Sequence, residues 1–135
     1  MSAVSIMVAL LQAHAPLLAL VEPENIVAGT VSQDARLPAI GVREISAIEE
    51  QTVDGNEPGA LVRARVQVTV HAKSYPAQKA LIAATKLGAG AHTGVIAGVT
   101  VRSVLRDFVG PDLGDDDAEI FEQSRDFKIV FIEPD

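Results

Sequence analysis

"ALVRARVQVTVHAKSYPAQKA", residues 60–80, decides the fold. Its first half alternates strictly. Val62, Ala64, Val66, Val68, Val70 and Ala72 fall on one side of an extended chain, and Arg63, Arg65, Gln67, Thr69, His71 and Lys73 on the other. Successive side chains of a strand point to opposite faces, so this period of two predicts a long strand with one buried and one polar face. At Ser74 the period changes. Ser74 suits a helix N-cap, Pro76 is tolerated in a first turn, and Ala77, Ala80, Leu81, Ala84 and Leu87 recur at three- and four-residue spacing. The strand therefore leads straight into a helix, which Gly88 closes after Lys86.

Working toward the N-terminus, residues 51–60 contain Asp54-Gly55 and Pro58-Gly59, turn signals in a loop too long for a tight hairpin. Before it, Ala39 to Glu50 has strand composition, but its alternation slips between Val42 and Ile45, which predicts a bulge. "VSQDARLP" reads as a loop and "NIVAGTVS" as a short strand. The first residues predict a helix from a Ser2 cap to about Ala13, its stripe of Val4, Met7, Val8 and Leu11 widened by Ala3, Ile6 and Leu10. Pro16 then starts a short second helical turn through Leu17 to Leu20. Although this apolar start mimics a secretory leader, no Lys or Arg precedes Arg36, and Gln12, His14 and Pro16 interrupt it well short of the roughly 20 residues of a membrane span. The expectation is a buried helix in a cytoplasmic protein.

Toward the C-terminus, "VIAGVTVRSVLRDF" from Val95 reads as a strand with Gly98 at a bend or bulge. "VGPDLGDDDAE" is a second acidic loop. Ile120 to Ile132 then sets Phe121, Phe127, Ile129 and Phe131 against Glu122, Asp126 and Lys128, a closing strand with its aromatic face in the core. The fold class expected is α+β: an antiparallel β-sheet with N-terminal and central α-helices packed on one face. At 135 residues the chain suits a single domain spanning 1–135.

Composition narrows function. A net charge of −7, with 11 Lys and Arg among 18 carboxylates, disfavours a free-standing nucleic-acid binder, which needs clustered cations. The absence of cysteine removes disulfides and thiolate metal sites. Asp112, Asp115, Asp116, Asp117 and Glu119 suggest a metal loop, but a calcium loop needs acids at alternate positions before its glycine, and here Gly114 precedes the run. A solvated acidic loop is the better reading. His14, His71 and His92 lack ligand spacing, "GAGAHTG" follows a helix where phosphate-binding loops follow a strand, and no G-x-S-x-G elbow occurs. No catalytic residue, cofactor or metal site is nominated.

What remains is the polar side of the long strand. Arg63 and Arg65 lie two residues apart on one face, placed for bidentate contacts with carboxylates of another subunit. The candidate subunit-interface residues are Arg63, Arg65 and Gln67 on the strand, Asp54 and Glu57 in one loop, and Asp115, Asp116 and Asp117 in the other.

These residues also carry a resemblance. "DGNEPGALVRARVQVTVHAKSYPAQKALIAA", then "GVTVRSVLRDF", an acidic loop and "EIFEQSRDFKIVFIE" resemble the tail completion or tail terminator family of long-tailed bacteriophages and prophages. Gly59, Leu61, Val62, Arg63, Arg65, Val66, Gln67, Tyr75, Ser124, Asp126 and Phe127 match its pattern, and Leu37-Pro38-Ala39-Ile40 matches its approach to the first long strand. The segment "VEPENIVAGTVSQDAR" departs from it. The resemblance implies a structural virion protein without enzymatic activity. It would form a ring, typically a hexamer, that caps the tail tube, stops its growth and presents a joining surface at the head-proximal end. Its implied partners are further copies of itself, the tail tube protein and a head–tail connector protein, with DNA passing through the lumen without specific binding and no membrane involved. Assembly in the host cytoplasm would precede incorporation into the virion. Another head–tail connector or neck component is the alternative, and a small binding domain or hydrolase the more distant one.

Overall fold

In a computed structural model, residues 2–32, 35–50, 60–88, 92–115 and 117–133 are described. The chain begins with helix α1 (Ser2–Gln12), a one-turn helix α2 (Ala15–Leu18) and a 3-10 turn at Pro23–Asn25. Strands β1 (Ile26–Ala28), β2 (Ala39–Glu50) and β3 (Ala60–Ala72) follow, then helix α3 (Tyr75–Ala84). Strands β4 (Gly94–Ile96), β5 (Val99–Val109), β6 (Leu113–Asp115) and β7 (Ile120–Glu133) complete the fold. The sheet order is β1-β2-β3-β7-β5-β4, with β6 also on β7. The α+β class holds.

The quoted strand forms as its period dictates. Val66, Val68, Val70 and Ala72 are fully buried, while Arg63 is exposed and Arg65, Gln67, Thr69 and His71 are half-buried on the opposite face. The last strand of the chain inserts beside it, from Ala60 opposite Glu133 to Ala72 opposite Phe121, so the two longest strands share the centre of the sheet. Phe127, Ile129 and Phe131 of β7 meet Val66, Ala64 and Val62 across this pair. Ala3, Val4, Ile6, Met7 and Leu11 of α1 cover that apolar face. Each Val, Leu or Ile removed from water in this way contributes about 1.5–3 kcal/mol. Ser2 does not act as the expected cap. It lies within α1, and its hydroxyl donates to Glu133 at 3.0 Å, which ties the two ends of the chain together.

Three departures from the sequence expectation have physical causes. First, the sheet is mixed, because β1 runs parallel to β2. Gly29, at φ 93°, turns the chain back, and its N–H donates to the Val42 carbonyl at 2.7 Å. The loop can lie there because residue 41 is glycine: a Cβ on Gly41 would sit 2.6 Å from the Gly29 carbonyl oxygen. Second, residues 94–109 are two strands. Ala97 and Gly98, at φ 53° and 77°, make a two-residue reversal of the left-handed kind that suits the twist of a hairpin. Third, the buried side of α3 is Gln78, Leu81, Ile82 and Thr85, whereas Ala77 and Ala80 are exposed. The stripe is rotated because the helix packs on Gln123 and Arg125 of β7, buried polar residues that need polar partners.

Other local readings hold among the described residues, while α3 ends at Ala84, before the expected Gly88, and the loop expected at 51–60 lies outside them up to residue 59. Ser74 accepts from the Ala77 N–H at 3.3 Å as the N-cap of α3. The slip in β2 is a register shift between Glu44 and Ser46. Part of the expected acidic loop is ordered as the end of β5 and as β6, which pairs Leu113 with Glu122.

Candidate assembly surface

The helices cover one face of the sheet and leave the other open. Along its centre Arg65 stands opposite Lys128, Gln67 opposite Asp126, Thr69 opposite Ser124 and His71 opposite Glu122. Like charges directly across a strand pair repel. Asp107, from the next strand, relieves the Arg65–Lys128 pair by accepting from Arg65 and lying 3.9 Å from the Lys128 amine. Arg65 also donates to Asp126 at 3.2 Å, and the Gln67 amide donates to Asp126 at 3.3 Å while accepting from Arg43 at 2.9 Å. Thr69 and Ser124 share a 2.9 Å hydroxyl contact. The Asp107 carboxylate raises the Arg65 pKa further above its ordinary value, outweighing desolvation.

Arg63, farther out on the same face, donates to Glu50 at 2.9 Å. Both side chains of that pair are about half exposed, at 55% and 47%, so it adds at most about 1 kcal/mol. Beside the network lies an open trough of about 440 Å³, between Gly29–Val31 on one side and Phe108–Leu113 on the other. Its floor includes Gln67, Thr69, His71 and Ser124, whose polar groups already bond to one another or to neighbouring strands.

His71 and Glu122 lie 3.3 Å apart, yet the His71 pKa is lowered. Desolvation is the larger effect, and the attraction of Glu122 offsets only part of it. The folded chain therefore takes up this proton at lower pH than the unfolded chain, whose imidazole titrates near its ordinary 6.5. The stability His71 contributes is present above that value and is lost as pH falls through the folded one. Urea midpoints at pH 7.5 and 5.5 should show a loss in the wild type that His71→Gln reduces. An equal loss in both proteins would place the acid sensitivity elsewhere.

A second polar cluster fastens residues 110–112 to α3. Asp112 receives Lys79 at 2.5 Å, Tyr75 at 3.0 Å and Gln78 at 3.0 Å, and Gln123 donates to the Gly110 carbonyl at 2.9 Å. The hydrogen bond from Lys79 is the main cause of the depressed Asp112 pKa. The buried Gln78 Oε1 has no hydrogen-bond partner among the described residues.

The structure brings Arg63, Arg65 and Gln67 together as expected, but gives each a partner within the chain. Asp54, Glu57 and Asp116 lie outside the described residues, Asp115 closes β6, and Asp117 sits in the turn before β7. Sequence reasoning missed Asp107, Glu50 and Lys128. The even-numbered row of β7, Glu122, Ser124, Asp126 and Lys128, was a readable signal, but the β3–β7 register was needed to set it against the odd-numbered row of β3. Among the described residues no group of three or more His, Asp or Glu is placed to hold a metal ion, and no described helix is long and apolar enough to cross a membrane.

The molecule is thus a two-layer α+β protein with helices on one face of the sheet and an open, internally paired polar face on the other. By sequence, the family described as tail completion protein gp17 matches residues 6–102, and the chain belongs to that family. It is a structural protein of a phage-type tail, and so a component of the virion. A search of curated proteins finds no match. Among solved structures, a chain from the virion of a native gene transfer agent particle is similar in fold, with a TM-score of 0.65 over 96% of both chains at 16% identity. The Ser124, Asp126 and Phe127 resemblance lies beyond the family match, yet two of those residues, Ser124 and Asp126, join the network built on Arg65, Gln67 and Thr69.

Proposed function

We propose that this chain is a ring-forming tail terminator: it caps the head-proximal end of the tail tube, ends tube polymerisation and presents the surface on which the head–tail connector docks. The observation that carries the reading is membership of the tail completion family across residues 6–102. The open face agrees with it, since the charged groups at its centre neutralise one another and nominate no reacting group. Self-association through Arg63, Arg65 and Gln67, with Asp54, Glu57, Asp115, Asp116 and Asp117 of a neighbouring copy, belongs to the same proposal. Arg63 is the best placed of these, because its pair with Glu50 leaves it half exposed. A net charge of −7 would let DNA pass through the ring without adhering.

Particles made without this protein test the reading by negative-stain electron microscopy. Overlong tails, or tails of normal width without heads, are expected. Tailless heads that lose their DNA would overturn the terminator role in favour of a connector, and normal particles would remove both.

A further inference from the structure

Two stretches of strand have no neighbour on their outer side among the described residues. Strand β1 covers β2 only from Ile40 to Val42, so the edge of residues 43–50 is bare. Strand β4 covers β5 only from Val99 to Val101, so the edge of residues 102–109 is bare. These equal stretches lie on opposite sides of the sheet. Bare edges offer unpaired N–H and C=O groups to any extended chain, and monomers normally shield them. Here each carries apolar side chains into solvent: Ile48 at 64% exposure on one, Leu105 at 60% and Phe108 at 61% on the other.

Charge distinguishes the edges. Glu44 and Glu49 on β2, and Arg102 and Arg106 on β5, are exposed and form no ion pair with a described residue. Two copies of the same edge would therefore repel, whereas unlike edges attract. Direction agrees. The pairs β2–β3, β3–β7 and β7–β5 are all antiparallel, so β2 and β5 run oppositely. A second copy generated by rotation about an axis along the strands keeps its strand directions, and its β2 meets the first copy's β5 antiparallel.

Register agrees as well. Glu44, Val66, Phe127 and Arg106 form one transverse row across the sheet. Continued into the next copy, that row places Arg106 beside Glu44. A second row, Ser46, Arg65, Lys128 and Leu105, sets Leu105 beside Ser46 and within reach of Ile48.

We infer that copies of this chain join by antiparallel pairing of the β5 edge, residues 102–109, with the β2 edge, residues 43–50, of the next copy, so that their sheets become continuous. The contact is head-to-tail and closes only as a ring. It rests on the reading of the chain as a ring subunit and adds a backbone contact to the side-chain contacts proposed there.

Charge reversal tests it. Glu44→Arg with Glu49→Arg makes both edges positive, and Arg102→Glu with Arg106→Glu makes both negative. All four side chains are exposed, and circular dichroism checks that each variant folds. Sedimentation is measured for each protein alone and with purified tail tubes of its own particle. Wild type should form rings, each double variant should stay monomeric, and an equimolar mixture of the two should recover ring-sized species, since each edge then finds its opposite on the other variant. Hydrogen exchange should slow at 43–50 and 102–109 on wild-type assembly. Wild-type rings accompanied by assembling double variants, or by a mixture that stays monomeric, would overturn edge pairing and leave the ring reading intact. Wild-type protein that stays solitary even beside tubes would overturn both.

Discussion

Phe127→Ala is expected to cost about 3–5 kcal/mol of unfolding free energy, the range for truncating a large buried aromatic. Phe127 is 1% exposed and heads the fully buried side chains by size. Its position makes the loss hard to absorb. It stands on β7, with Val66 of β3 opposite on one side and Arg106 of β5 on the other, so closing the void would require both neighbouring strands to move. Surrounding groups relax only partly around such cavities, and the residual volume adds to the lost transfer energy. Urea unfolding should show a lower midpoint with an unchanged slope, and Phe127→Leu should lose much less, about 1.5 kcal/mol or under if the core repacks. A loss below about 1 kcal/mol for the alanine variant would mean that the sheet centre is not packed as described.

Arg125→Ala should cost about 2–3 kcal/mol, because hydrogen bonds to a charged group are worth about 1.5–3 and the buried Thr85 hydroxyl loses its donor. Arg125 is 6% exposed and has no carboxylate partner among the described residues. Its Nε donates to the Thr85 hydroxyl at 3.1 Å and its Nη2 to the Ile82 carbonyl at 3.1 Å, while Thr85 donates to the same carbonyl at 2.6 Å. These acceptors lie at the C-terminal end of α3, where carbonyls lack helical partners and the dipole favours a cation. Burial lowers the Arg125 pKa, and the nearby Arg106 lowers it further. Keeping the charge here is therefore costly in itself. Arg125→Met, which fills the space without the charge, should lose only about 1 kcal/mol, since replacing a buried charge by a hydrophobe of similar size recovers its desolvation cost. Equal losses in the two variants would show that the link from β7 to α3, which both remove, is what Arg125 supplies, and that its volume adds little.

The two variants mark where sequence reading succeeds and where it stops. Phe127 was legible as core because it alternates with Asp126 and Lys128, a period that any strand with one covered face imposes. Arg125 shares its parity and also faces the helices, but an arginine in that row reads as solvent-facing until α3 is known to end above it. The same gap explains the rotated stripe of α3. Ala77 and Ala80 are apolar yet exposed, while Gln78 and Thr85 are polar yet buried, because the helix meets a polar row of β7. In the candidate surface, Arg63, Arg65 and Gln67 were readable as one face. Their partners Glu50, Asp107 and Asp126 were not readable as partners, since they come from three other strands up to 61 residues away.

By itself the amino-acid sequence determined the long strand, its two faces, the switch to a helix at Ser74, the bulge in β2 and the aromatic core row of β7. All of these follow from local periodicity and residue chemistry, which act over a few positions. Only the tertiary structure decided that the last strand lies beside β3, that β1 runs parallel, that Ala97 and Gly98 reverse the chain, and that two strand edges of opposite charge have no neighbour among the described residues. Those features depend on which segments meet across the sheet. A pattern of period two specifies which side a residue faces, but not which strand will stand next to it.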